Sequence, residues 1–152
     1  MNVKKINLKV INFNKSEGKL SVRKSFEIKE STIPNAGFGL FAAMDIDIDS
    51  DLGEYFGNIT NDNPGGCYIW EYQDDNDNTK FVDGENYKKN PLKYVNAIKY
   101  KDQPTKVQLD KINCRMEVIN NKVHYLSTKY INKGDEIFMD YGPEYWTMDQ
   151  CN

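Results

Sequence analysis

The stretch Ile131-Asn132-Lys133-Gly134-Asp135-Glu136-Ile137-Phe138-Met139-Asp140-Tyr141-Gly142-Pro143-Glu144-Tyr145-Trp146 decides how this chain is read. Asn132 to Asp135 is a turn, because Gly134 tolerates positive φ and its polar neighbours suit a solvated bend. Glu136 to Tyr141 alternates loosely and carries β-favouring Ile137, Phe138 and Tyr141, which predicts a short strand. Gly142-Pro143 breaks that strand, since proline fixes φ and offers no N–H to a ladder. A tyrosine at such a break aims its phenol beyond the sheet edge. Tyr145 and Trp146 follow at once. Aromatic residues this dense close a hydrophobic core or line a site, and the rest of the chain decides between the two.

Moving outward, the preceding run Val123 to Ile131 reads as a strand, with the lone His124 alternating between Val123 and Tyr125 as a structural residue. Upstream, Ser31-Thr32-Ile33-Pro34-Asn35-Ala36-Gly37-Phe38-Gly39-Leu40-Phe41-Ala42 holds two glycines about an aromatic, where the backbone can approach a ligand closely. No third glycine and no helical pattern follow, so it is not a dinucleotide fingerprint. Val3 to Phe13 and Leu20 to Ile28 predict two strands joined by a turn at residues 16–19. Periodicity of the long amphipathic-helix kind is missing, and only one short helix, near Asn90–Asn96, is expected. The acidic runs Asp45–Asp51 and Asp74–Asp77 fail as calcium loops. Counting from Asp45, the sixth and twelfth positions are Ser50 and Phe56, where an EF-hand needs Gly and Glu. Both read as solvated turns.

Composition narrows the class. The 152 residues make one domain, with 28% charged and 39% hydrophobic side chains. A net charge of −3 argues against nucleic-acid binding through a basic field and is compatible with a basic partner. Cys67, Cys114 and Cys151 stand far apart without a CxxC pair, so a metal site is not expected and reduced thiols are the default. The N-terminus lacks a continuous apolar run of signal-peptide type, and no apolar run approaches the ~20 residues of a membrane span. An intracellular protein, nuclear or cytoplasmic and not secreted, is the expectation.

Gly134-Asp135-Glu136-Ile137-Phe138-Met139-Asp140-Tyr141-Gly142 resembles the C-terminal signature of the SET domain, the fold of most protein-lysine methyltransferases. Gly37–Gly39 is similar to its N-terminal motif, and Gly53-Glu54-Tyr55-Phe56-Gly57 to its next strand. Tyr68-Ile69-Trp70, Phe81-Val82-Asp83-Gly84 and Asn90-Pro91-Leu92-Lys93-Tyr94-Val95-Asn96 are closest to the PR subtype, and Asn113-Cys114 resembles the family's threading element. The order and spacing of these elements, over most of residues 25–146, carry the likeness. It implies a mostly β SET-domain fold: several short sheets around a pseudoknot-like C-terminal threading, with little helix. The expected organisation is a single domain over 1–152, with N-terminal strands to 30, a SET core over 31–146 and a short tail. The compact chain also looks like the small stand-alone SET proteins of large DNA viruses, and a homodimer is compatible with that likeness.

The resemblance further implies an S-adenosylmethionine-dependent protein-lysine N-methyltransferase whose substrate is a histone tail. Gly37, Phe38, Gly39, Asp83, Asn96, Ala97 and Tyr141 would hold the cofactor. Tyr68, Tyr125 and Tyr141 would be the catalytic phenols, and Tyr55, Met139, Tyr145 and Trp146 would line the substrate channel. Two positions depart from the family pattern. Ala97 replaces the histidine of the usual Asn-His pair, and Met139 stands where a Phe-or-Tyr choice helps set the number of methyl groups. These departures favour the rival expectation of a catalytically silent PR/SET-like interaction module. The three intact tyrosines favour an enzyme.

Overall fold

The protein was analysed as a computed structural model that describes residues 10–14, 19–23, 25–87, 89–100 and 102–142. In chain order its strands are β1 (Val10–Asn14), β2 (Lys19–Arg23), β3 (Phe26–Glu30), β4 (Phe38–Ala42), β5 (Asp51–Glu54), β6 (Asn58–Thr60), β7 (Ile69–Gln73), β8 (Thr79–Asp83), β9 (Asn96–Ala97), β10 (Cys114–Ile119), β11 (Lys122–Ser127) and β12 (Phe138–Met139). They form small sheets: the hairpins β1-β2 and β3-β4, the three-stranded orders β6-β8-β7 and β10-β11-β5, and the parallel pair β9-β12. The alternation of the sequence survives in β3, where Phe26 and Ile28 are buried and Glu30 is exposed. In β4 Gly39 to Ala42 are all buried, as befits a strand covered on both faces.

Two expectations change. The run Leu20–Ile28, expected as one strand, is split: β2 pairs with β1, and β3 turns to β4. The helix near residue 90 is a 3₁₀ turn over Pro91–Tyr94, and there is also an α-helix, α1 (Lys106–Lys111), which apolar periodicity did not predict. Val107 and Leu109 on it are exposed, so burial leaves no pattern to read. What starts this helix is a capping box in which the Thr105 hydroxyl accepts from the Gln108 N–H and the Gln108 side chain accepts from the Thr105 N–H.

The C-terminal segment is threaded. On one side the Ile137 N–H donates to the Leu40 carbonyl and the Ala42 N–H to the Asp135 carbonyl. On the other, β12 runs parallel to β9, with Phe138 opposite Asn96 and Met139 opposite Ala97. Asn113 closes the loop about it: its Nδ2 donates to the Glu136 carbonyl at 2.9 Å, and its Oδ1 accepts from the Phe138 N–H at 2.9 Å. A short side-chain amide thus replaces a missing strand partner. Leu40, Leu92, Tyr125, Ile131, Ile137 and Met139 belong to one hydrophobic cluster around this crossing. Each fully buried aliphatic there stabilises the fold by about 1.5–3 kcal/mol.

Both acidic runs are turns. The Asp45 carboxylate accepts the Lys133 N–H at 2.8 Å, and Asp74 accepts the N–H groups of Asn76 and Asn78. Those bonds to backbone N–H groups hold both carboxyls below their ordinary range. His124 bonds Asp51 through Nδ1 and stands in β11 as an ordinary sheet residue. Cys67 is disulfide-bonded, against the expectation of reduced thiols throughout, because distance along the chain does not tell which cysteines meet in space. Cys114 is free and buried. Among the described residues no helix is long and apolar enough to cross a membrane.

Burial pushes the Cys114 thiol and the Tyr125 phenol well above their ordinary values. Above about pH 9–10 the unfolded chain releases these protons while the folded chain keeps them. Stability is therefore expected to hold between pH 7 and about 9 and to fall as the pH rises further. Urea midpoints across an alkaline series check this, and a flat profile to about pH 11 would contradict it.

Candidate active site

A cradle forms where the loop before β4 meets the threaded segment. Glu136 is buried, although it occupies a strand-like position between a polar turn and the apolar Ile137. Its carboxylate accepts from the Ser31 hydroxyl at 2.7 Å, from the Thr32 N–H at 2.8 Å and from the Thr32 hydroxyl. The Asn96 amide donates to it at 3.3 Å and to the Phe38 carbonyl at 3.0 Å. A single carboxylate therefore ties the 31–39 loop to Asn96. Gly39 is buried against it, and a Cβ at that position would collide with the carboxylate. Gly37 sits at φ +72° with open space around it, which a glycine adopts without the strain of a side chain. The Ser31 N–H closes the loop on the Gly37 carbonyl at 2.8 Å.

Gly37, Phe38, Gly39 and Asn96 are thus brought together, and Phe38 leaves 44% of its surface exposed beside them. Ala97 follows in β9, buried, its contacts those of the parallel ladder to Met139. Asp83 lies apart from the cradle, at the end of β8. Its carboxylate accepts the Glu85 N–H at 3.0 Å, and its carbonyl leaves no room for a Cβ on Gly57.

Next to the cradle stands an aromatic cluster. Tyr125 on β11 is fully buried and stacks on Tyr55, with ring centroids 5.7 Å apart. Trp70 on β7 meets Tyr125 edge-on at 6.1 Å and Tyr141 at 5.4 Å. Its Nε1–H donates to the Tyr125 hydroxyl at 2.7 Å. The Tyr141 hydroxyl donates to the Val95 carbonyl at 2.8 Å, so the cluster touches the residue directly before Asn96. Burial, reinforced by the nearby phenols of Tyr141 and Tyr55, keeps the Tyr125 phenol neutral far into the alkaline range, and the Trp70 bond works weakly the other way.

Of the expected channel residues, Tyr55 and Met139 are buried in this region. Tyr68 is 43% exposed, and its ring has no ring partner among the described residues. Its carbonyl, rather than its phenol, enters the network, by accepting the Tyr55 hydroxyl at 2.9 Å. Tyr145 and Trp146 lie outside the described residues. Two residues that the sequence did not single out as functional hold positions at the centre, Trp70 and Glu136. The available signals were a tryptophan two residues after Tyr68 and an acid set directly before the apolar run Ile137-Phe138-Met139.

Small sheets about a threaded C-terminal segment make this a SET fold, the architecture of lysine methyltransferases. Solved structures agree. The methyltransferase domain of human PR domain-containing protein 2 superposes with a TM-score of 0.60 at 20% identity, over 80% of this chain and 79% of that one. ATXR5, solved in complex with a mono-methylated histone H3.1, gives 0.58 at 18% identity over 77% of this chain and 56% of that one. The family described as PR domain zinc finger protein 2, PR domain, matches residues 26–151, and the chain belongs to that PR-domain family. It is also similar to the histone-lysine N-methyltransferase MECOM of Mus musculus, at 31% identity over 116 residues, which is 75% of this chain and 9% of that protein.

Proposed function

We propose that the protein is an S-adenosylmethionine-dependent protein-lysine N-methyltransferase acting on a histone tail. One observation carries the reading: the polar cradle and the aromatic cluster meet at Val95–Asn96, so a cofactor in the first would place its reactive end beside the second. The residues present fit that cofactor. The glycine at 37 leaves backbone accessible, and the Asn96 amide is already oriented by two acceptors. Gly37, Phe38, Gly39, Asn96 and the backbone of Ala97 would hold it. When bound, the cofactor supplies an electrophilic methyl group on a sulfonium.

The chain's own side chains meet the remaining requirements. A free lysine titrates near ~10.4, so its amine must be deprotonated to react. Aromatic walls of Tyr55, Trp70, Tyr125 and Tyr141 disfavour the ammonium by desolvation. With its proton directed to the Val95 carbonyl, the Tyr141 oxygen presents lone pairs to an amine N–H and orients the nitrogen for an in-line approach. The ring faces accept the methylated cation afterwards. A net charge of −3 favours a basic tail.

The test is a radiolabelled methyl-transfer assay on core histones, with calorimetric titration of S-adenosylmethionine alongside. Label on a histone band is the expected result. Cofactor binding without histone label would move the substrate to another lysine protein. Neither binding nor label would leave the silent interaction module, which Ala97 and Met139 favour.

A further inference from the structure

We infer that Tyr100 is a positioning residue for Tyr141: its hydroxyl holds the Asp140 carboxylate, and that carboxylate fixes the bend that carries the Tyr141 phenol. The inference rests on the methyltransferase reading above, in which the Tyr141 oxygen orients the reacting amine. A hydroxyl does this only when the backbone that carries it is held in place. The regular ladder between β9 and β12 ends at Met139, whose carbonyl accepts the Ile98 N–H at 3.0 Å. Asp140, Tyr141 and Gly142 run on beyond it, outside any strand. Gly142 stands at φ +80°, so the chain turns directly after the phenol.

What replaces the ladder is a carboxylate. Asp140 Oδ1 accepts the Gly142 N–H, two residues on, at 2.7 Å, which closes the turn over Tyr141. The Tyr100 hydroxyl donates to the same carboxylate, 2.9 Å from Oδ1 and 3.0 Å from Oδ2. Neighbouring residues of an extended chain face opposite ways. Asp140 accordingly faces out to Tyr100, while Tyr141 turns in to Trp70 and the Val95 carbonyl. Tyr100 is itself anchored, because the Gln108 side chain that caps α1 donates to the Lys99 carbonyl at 2.9 Å. The segment 95–100, which carries Asn96 and Ala97, thus grips the segment 139–142 through Val95, Ile98 and Tyr100. Asp140 is exposed and Tyr100 half-buried, so their bond adds little to global stability. Its consequence lies in where it leaves the phenol.

Tyr100→Phe keeps the ring and removes the donor. It is expected to lower the single-turnover rate and kcat on core histones by about 10- to 100-fold, the cost of a small misplacement at a reacting centre. KM and the calorimetric affinity for S-adenosylmethionine should stay within a few-fold, and the urea midpoint should barely move. Asp140→Ala removes both bonds and should lose at least as much rate, and it decides the matter if Tyr100→Phe fails to fold. Asp140→Asn keeps an acceptor oxygen for both donors and should recover most of the rate. The decisive readout is coupling: in a Tyr141→Phe background the phenol is already gone, so Tyr100→Phe should cost no further rate. A loss of the same size in both backgrounds overturns the inference. So does a rate within about twofold of wild type, or a loss carried by KM or cofactor affinity instead. Ring-proton NMR shifts of Tyr141 beside Trp70 follow the phenol without any turnover, and they should move in Tyr100→Phe. A wild type that labels no histone sinks the methyltransferase reading by itself. Unmoved ring shifts would then sink the seating of Tyr141 as well, and moved ones would keep it.

Discussion

Tyr141→Phe is expected to slow methyl transfer by roughly 10²–10³-fold, the usual loss when one preorganised polar contact to a reacting centre is removed. The ring and its edge contact with Trp70 at 5.4 Å survive the change. What disappears is the hydroxyl, with its 2.8 Å bond to the Val95 carbonyl. Stability should fall by only about 0.5–1.5 kcal/mol, the net worth of such a bond. The two readouts separate the roles: single-turnover rates should collapse, while the urea midpoint moves little and the calorimetric affinity for S-adenosylmethionine stays within a few-fold. A rate within about twofold of wild type would place the chemistry elsewhere.

Glu136→Ala has the opposite signature. This side chain is a tie between the loop at 31–39 and Asn96, rather than a reacting group. Removing it strands the Ser31 hydroxyl, the Thr32 N–H and hydroxyl and one donor of Asn96. Hydrogen bonds to a charged group contribute about 1.5–3 kcal/mol each, and several are lost together, so a destabilisation of roughly 3 kcal/mol or more follows. The loss also opens a void beside Gly39, which packs directly on the carboxylate. Cofactor affinity should therefore drop together with stability. Glu136→Gln keeps the shape and one acceptor oxygen, and is expected to recover part of both. Wild-type midpoint and affinity in Glu136→Ala would show that the loop holds itself.

Much of this was legible because the informative residues are punctuated. Two glycines about Phe38, the Asn96 that follows the 3₁₀ turn, and Tyr141 before Gly142-Pro143 are marked by their neighbours in sequence, and the threading that joins them is the SET fold. Trp70 and Glu136 escaped because their importance lies in what they touch across the fold. Trp70 reaches Tyr125 over 55 positions and Glu136 reaches Thr32 over 104. No local pattern encodes such meetings. The α-helix at Lys106–Lys111 escaped for the opposite reason: its start is set locally by the Thr105–Gln108 cap, and it buries none of its residues. The single strand expected over Leu20–Ile28 failed because alternation reports burial and is silent on which partner a strand pairs with.

The threading also bears on how the molecule comes into being. Residues 136–139 find their partners in β4, β9 and Asn113, elements made long before them in the chain. A chain growing from its N-terminus can assemble its early hairpins while the ribosome is still at work. It cannot complete the cradle or seat Tyr141 until the final strand is released. Contacts this distant in sequence form late and slowly. Until residues 136–142 have emerged, the cradle and the seat of Tyr141 therefore stay incomplete, whatever has folded before them.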